Sequence, residues 1–256
     1  MNYFASASTD VGIVKDTNQD SVCIKIAEFE NHGQIAMAVI CDGMGGLSKG
    51  ELASATLIRC FDNWFENELP KRVEKFSWQG LADEWTRIIR EQNEKLLQYG
   101  KSIGVNLGTT LSAILIVEGK YMIVHVGDSR IYEISDCVKQ LTEDQTFVNR
   151  EVKAGKMTPQ EASVNPKRNM LLQCVGASRE VDPDIQYGNV TQNTVYMLCS
   201  DGFRHVLTDS EMYENFNPAN MNDTNAMKQN SDYLIDVVKK RNERDNITVA
   251  LLKSVM

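Results

Sequence analysis

Five short segments spread along the chain combine residue types that bind hard cations: Asn18-Gln19-Asp20, Asp42-Gly43-Met44-Gly45-Gly46, Gly127-Asp128-Ser129-Arg130, Ser200-Asp201-Gly202 and Asp245-Asn246. Their aspartates stand where apolar runs end or begin. A strand that runs into Asp-Gly leaves a carboxylate at the rim of a sheet, and the glycine lets backbone come close to an ion and present its carbonyl oxygen. Magnesium and manganese favour such oxygen donors and often keep several waters. A lone Asp-Gly is ordinarily a turn. Its recurrence beside several apolar strands points instead to a metal-centred hydrolase.

The elements that must hold these carboxylates can be read from periodicity. Strands are predicted over residues 3–9, 21–27, 34–41, 109–117, 121–126, 195–199 and 247–252, with 118–120 as a hairpin turn and 130–134 continuing a meander. Between them the spacing predicts a helix over 50–69, ended by Pro70. A second helix over 81–99 buries Leu81, Trp85, Ile88, Ile89, Leu96 and Leu97. Residues 142–166 read as a polar excursion over the sheet edge, with Thr158-Pro159-Gln160-Glu161 carrying a helix-start signature. Residues 216–230, rich in Asn and Met, read as a mobile surface loop before a closing helix at 233–240. Strands in antiparallel-style connections with two grouped helices predict an α+β layered sandwich rather than alternating βαβ units.

Composition bounds the function. A chain of 256 residues that is 42% hydrophobic suits one domain spanning 1–256. With 27 basic against 35 acidic residues the formal charge is −8 and no basic stripe exists, so no nucleic-acid or anionic-membrane partner is predicted. No signal peptide or membrane-spanning stretch is evident, and the six isolated cysteines read as reduced thiols, which together predict a cytoplasmic location. Gly127-Asp128-Ser129 superficially matches a serine esterase. However, His32, His125 and His205 are the only histidines, and neither a nucleophile elbow nor a C-terminal Asp-x-x-His is present.

Taken together, the segments resemble the metal-dependent serine/threonine protein phosphatases of type 2C, particularly the compact bacterial members. The matching pieces follow the family's order and also include Gly108-Thr109-Thr110, Leu141-Thr142-Glu143-Asp144, Gly155-Lys156-Met157-Thr158 and Asp245-Asn246-Ile247-Thr248. The resemblance implies a four-layer α-β-β-α sandwich with two central, mainly antiparallel sheets and a two-metal Mn2+ or Mg2+ centre at one rim. It assigns Asp42 as the bridging ligand, the Gly43 carbonyl to the second ion, Asp201 and Asp245 to the first, and Asp20 to a metal-held water. Asp128, with Asp201, would hold a third ion. Residues 144–166, including Gly155, Lys156, Met157 and Thr158, match the flap beside the active site. The implied reaction is direct hydrolysis of phosphoserine or phosphothreonine by a water bridging two ions, without a phosphoenzyme. The implied partners are phosphorylated proteins made by a serine/threonine kinase.

Several positions depart from the family pattern. Lys15 stands where an arginine usually clamps the substrate phosphate, and lysine lacks the planar bidentate fork. Gln19 replaces a commonly acidic residue, Gln145 a frequent histidine, and Met44 a histidine found in many eukaryotic members. Lys15 and Gln19 motivate two alternatives: a catalytically weak phosphoprotein-binding scaffold, or a phosphatase of small phosphomonoesters. Gly45-Gly46 reads as a turn rather than a phosphate cradle, since no Lys-Ser/Thr follows. Arg130 is expected to pair with an acidic neighbour or a loop carbonyl. Oligomeric state is left open.

Overall fold

The computed structural model describes residues 1–44, 49–75 and 77–255. In chain order its strands are β1 (Asn2–Asp10), β2 (Ser21–Phe29), β3 (Gly33–Cys41), β4 (Leu111–Val117), β5 (Lys120–Val126), β6 (Arg130–Ile134), β7 (Val138–Gln140), β8 (Asp184–Asn189), β9 (Val195–Cys199) and β10 (Ile247–Val255). Its helices are α1 (Gly50–Asn67), α2 (Leu69–Arg72), α3 (Trp78–Ile103), α4 (Phe147–Lys153), α5 (Pro159–Ser163), α6 (Asp201–Arg204), α7 (Asp209–Phe216) and α8 (Thr224–Lys240). The strands form two antiparallel sheets, one ordered β1-β10-β9-β6-β7 and the other β2-β3-β4-β5-β8.

Alternation along the strands creates the layers. On β3, Ile35, Met37, Val39 and Cys41 pack under α1 and α3, while Ala36, Ala38 and Ile40 turn toward the opposite sheet. On β10, Ile247, Val249 and Leu251 pack under α7 and α8, while Ala250 and Leu252 face inward. A strand buried on both faces reads as a continuous apolar run, which is why β3 and β4 are so hydrophobic. The result is the expected four-layer α-β-β-α sandwich, with one apolar layer between the sheets and one beneath each helix pair. Phe61, Trp64 and Trp85 lock α1 to α3 edge-to-face, with centroids 4.8 and 5.2 Å apart.

Several expectations need correction. Pro70 does not terminate the first helix: α1 stops at Asn67, and Pro70 sits in the first turn of α2, where its missing N–H costs nothing. β6 does not extend a meander from β5, because it pairs with β9 and β7 in the other sheet. Residues 216–230 are not a surface loop. They close α7, form a 3-10 turn and start α8, with Met221 and Met227 buried. The short strands β7 and β8 and helix α7 were not expected. The Gly45-Gly46 turn lies outside the described residues.

Candidate metal centre

Strand register brings the aspartates to one end of the sandwich. Ser21 opposite Cys41, Ile40 opposite Ser112 and Leu111 opposite Val126 align the start of β2, the end of β3, the start of β4 and the end of β5. In the second sheet Val249 lies opposite Cys199 and Arg130 opposite Cys199, aligning the start of β10, the end of β9 and the start of β6. Hydrogen bonds join the two rims: Thr248 Oγ1 donates to Asp20 Oδ2 at 2.7 Å, and the Thr110 and Ser129 hydroxyls stand 2.7 Å apart. Asp20, Asp42, Asp128 and Asp245, in loops or turns, and Asp201, the first residue of α6, therefore lie at a single rim.

Asp42 is held by backbone rather than by its own side chain. Its N–H donates to Thr110 Oγ1 at 2.9 Å, while its carbonyl accepts from the Thr110 N–H and the Thr109 hydroxyl, each at 2.9 Å. Gly108-Thr109-Thr110 thus positions Asp42 through its backbone. The Gly43 N–H donates to the Gln19 carbonyl at 3.1 Å, and a Cβ on Gly43 would lie 2.5 Å from both the Gln19 and Gly50 carbonyl oxygens, so only glycine fits. Gly127, with φ +106°, makes the sharp turn by which the chain leaves β5 for the other sheet, placing Asp128 at the crossing.

Asn246 organises the loop that carries Asp20. Its Nδ2 donates to the Val11 and Thr17 carbonyls at 2.9 and 3.1 Å, and its Oδ1 accepts from the Gln19 N–H at 2.9 Å. Gln19 Nε2 donates to Glu51 Oε2 at 3.3 Å. Gln145 is a hub rather than a catalytic group. It accepts the Gly127 N–H at 2.8 Å and donates to Asp184 Oδ2 at 2.8 Å, so it fixes the turn before Asp128.

The field at the rim is strongly anionic. Burial raises the Asp42 carboxyl well above its ordinary pKa, with Asp20, Asp201, Asp128 and Asp245 adding repulsion. Burial also pushes Asp20 up to about 7 against the opposing hydrogen bonds from Thr248 and Ser200, with Asp201 and Asp245 adding to the rise. Asp128 is likewise raised to about 7, by burial and then Asp201, with Arg204 opposing. Two buried carboxylate oxygens, Asp20 Oδ1 and Asp201 Oδ1, have no hydrogen-bond partner. Anionic oxygen donors in mutual repulsion, two of them unsatisfied, fit a hard divalent cation. Among the described residues no three His, Cys, Asp or Glu side chains form a ready-made metal cluster.

Cationic groups ring these acids. Lys15 Nζ pairs with Asp245 Oδ1 at 3.1 Å. Arg130 grips Asp144 through both carboxylate oxygens at 2.7 Å, which is the acidic pairing expected for it. Burial alone would raise Asp144, but Arg130, with Arg204 behind it, holds its pKa below the ordinary value. His205, at the C-terminal end of α6, lies 3.5 Å from both Asp201 Oδ2 and Glu243 Oε2. Burial would lower its pKa, yet Glu243 and Asp201 raise it. Thr248, Asn246, Arg204, His205 and Glu243 were given no role at the sequence level. Arg204 and His205 had a legible signal, being charged or titratable residues one helical turn after a proposed ligand.

A groove of about 1170 Å³ opens beside the rim, lined by Lys15, Asp128 and Asp245 on one side and by Val148, Val152 and Ala162 on the other. The latter belong to the α4–α5 excursion, whose capping box at Thr158 and Glu161 matches the sequence signature. Gly155, Lys156, Met157 and Thr158 form the turn between those helices: Gly155 adopts φ +68°, Lys156 is exposed, Met157 is half-buried beside Asn165, and Thr158 caps α5.

Comparison with known proteins gives concordant findings. A family model described as protein phosphatase 2C matches residues 13–239. The serine/threonine phosphatase stp of Listeria innocua is 29% identical over 254 residues, covering 97% of this chain and 95% of that protein. The Streptococcus agalactiae serine/threonine phosphatase structure superposes with a TM-score of 0.84 at 28% identity, covering 99% of this chain and 100% of the other. The catalytic domain of the serine threonine protein phosphatase PstP, solved in complex with 2 manganese ions, gives a TM-score of 0.79 at 27% identity over 99% of each chain.

Proposed function

Because the chain belongs to the protein phosphatase 2C family, we propose that its carboxylate rim is the catalytic centre of a metal-dependent hydrolase acting on phosphoserine and phosphothreonine in proteins. Serine/threonine protein phosphatase activity follows from the family. The residue roles are our reading: Asp42 would be shared by two ions, Asp201 and Asp245 would complete the first, the Gly43 carbonyl would serve the second, and Asp20 would order a water. The observation that carries this reading is the pair of partnerless buried oxygens, Asp20 Oδ1 and Asp201 Oδ1, on the rim where burial and neighbouring carboxylates also raise Asp42. A third ion at Asp128 and Asp201 is the finer form of the proposal.

Bound Mn2+ or Mg2+ would lower the pKa of water and neutralise phosphoryl charge. The chain itself supplies orientation. Thr109 and Thr110 hold the Asp42 backbone, Thr248 fixes one Asp20 oxygen while the other has no partner, and Asn246 ties the loop of Asp20 to the start of β10. Lys15 sits in the groove, where its ammonium pairs with Asp245 and keeps further N–H donors for a substrate phosphate. The open groove suits an extended phosphopeptide better than a small phosphomonoester. Kinase-phosphorylated proteins are accordingly the substrates we assign. Six unpaired cysteines support a reducing, cytoplasmic setting, and no helix among the described residues is long and apolar enough to cross a membrane. We read the whole chain as one phosphatase domain with residues 144–166 as its flap.

The test is phosphate release from phosphothreonine and phosphotyrosine peptides with Mn2+, Mg2+ or chelator. Metal-dependent release that favours phosphothreonine, cut at least about a hundredfold by Asp42→Asn, is expected. Near-normal turnover of that variant with unchanged metal stoichiometry would sink the bridging assignment.

A further inference from the structure

Arg204 is a guanidinium in an unusual position. Its side chain is 12% exposed, and its buried Nε has no hydrogen-bond partner. Its Nη2 reaches the Asp128 carbonyl at 3.1 Å, Asp144 Oδ2 at 3.4 Å and Asp128 Oδ2 at 4.0 Å. Asp144 is already committed to Arg130 through two 2.7 Å bonds. A guanidinium this far out of water requires a counter-charge; Asp144, the nearer carboxylate at 3.4 Å, divides its charge between Arg130 and Arg204, and Asp128 at 4.0 Å supplies the rest. Arg130 and Arg204 thus face Asp144 and Asp128, with Asp201 and His205 also acting on Asp128.

A divalent cation at Asp128 would disturb that arrangement. It would place two further positive charges beside Arg204 where solvent screens poorly, so repulsion would fall directly on the ion's affinity. Arg204 lies three residues after Asp201 on the same short helix α6, so an ion shared by Asp128 and Asp201 could not avoid it. We propose that Arg204 is an internal cation that competes with a third divalent ion for Asp128, leaving that site weak while the other sites fill. This rests on the assignment of Asp128 as a ligand of the third ion.

Calorimetric titration of the full chain with Mn2+ tests it, using wild type, Arg204→Gln, Arg204→Lys and the double variant Arg204→Gln/Asp128→Asn, each checked for native near-UV circular dichroism. The weakest Mn2+ site is expected to tighten at least tenfold in Arg204→Gln, to stay near wild type in Arg204→Lys, and to vanish in the double variant. Equal third-site affinity in wild type and Arg204→Gln would overturn the competition while leaving the third site standing. Two ions in every protein would overturn the third site as well, and failure to bind any Mn2+ would remove the phosphatase centre itself. A second readout needs no substitution at Arg204. The side-chain Nε–H resonance of Arg204 is expected to shift as Mg2+ fills the weakest site of wild type, and to stay fixed in Asp128→Asn. A resonance that ignores Mg2+ in wild type counts against the proposal.

Discussion

At the scale of single residues, the site depends on groups that have no chemistry of their own. Gly43 is one, since an added methyl would meet two carbonyl oxygens at 2.5 Å. Gly43→Ala is expected to cost about 1–3 kcal/mol through overpacking and to weaken Mn2+ binding, because relief of the clash moves either the Gln19 strand entry or α1. Denaturant unfolding together with metal titration checks both, and an unchanged midpoint would mean the loop yields freely. Lys15 is the contrasting case, a charged residue whose present partner, Asp245, is itself a proposed ligand. Arg at this position can bond two phosphate oxygens at once, and one additional charged hydrogen bond is worth about 1.5 kcal/mol. Lys15→Arg is therefore expected to raise kcat/KM on a phosphothreonine peptide by about tenfold. Identical kinetics would place Lys15 outside the substrate site.

At the scale of elements, what could be read in advance divides along physical lines. β3, β4, β9 and β10 announce themselves because burial on both faces leaves long, largely apolar runs; β3 and β9 lead into Asp42 and Asp201, and β10 follows Asp245. The rim therefore became legible together with the strands. β8 hid because it is an edge strand with only partial burial, and β7 because it has three residues. The 216–230 segment misled through composition. Its asparagines serve as caps and exposed positions, as Asn217 does for the 3-10 turn, while Met221 and Met227 fill the core under the second sheet. The Thr208 and Glu211 capping box and the Asp223 cap were the signals available there. Partners across the rim, such as Thr248 for Asp20, depend on sheet-to-sheet register that no local pattern encodes. Asn246 shows how far such a contact reaches, since three hydrogen bonds from one side chain tie β10 to the Asp20 loop. Asn246→Ala should cost about 3 kcal/mol, at about 1 kcal/mol per bond, and reduce Mn2+ affinity. Full stability in urea would show that the loop is held otherwise. The flap answers differently, because α5 buries none of its residues. Thr158→Ala should remove about 1 kcal/mol of capping, seen as faster amide exchange confined to α5 with the global midpoint unchanged. Exchange that quickens across both sheets would show that the flap is part of the cooperative core.

At the scale of the whole molecule, a chain of net charge −8 concentrates five carboxylates at one end of its sandwich. The fold carries that repulsion as a pH-dependent cost. Asp20 and Asp128 are raised from 3.8 to about 7 in the native state. Between those values the folded protein holds protons that the unfolded chain has released, so these groups make stability fall as pH rises through that window. Divalent ions act in the opposite sense. They need deprotonated ligands, so their binding, and the stabilisation that follows from binding only the native state, grows over the same range. Without metal, the melting temperature is expected to drop by several degrees between about pH 5 and pH 7.5, since about 1 kcal/mol corresponds to about 2–4 °C at this size. Saturating Mn2+ should flatten or reverse that slope, and Asp20→Asn should weaken the slope in chelator by removing one of the titrating groups. Melting curves across that pH range, with chelator and with Mn2+, decide the matter. A metal-free melting temperature that climbs steadily through the window would mean that the rim carboxylates are already neutralised from within the chain, and that the ions are not what relieves them.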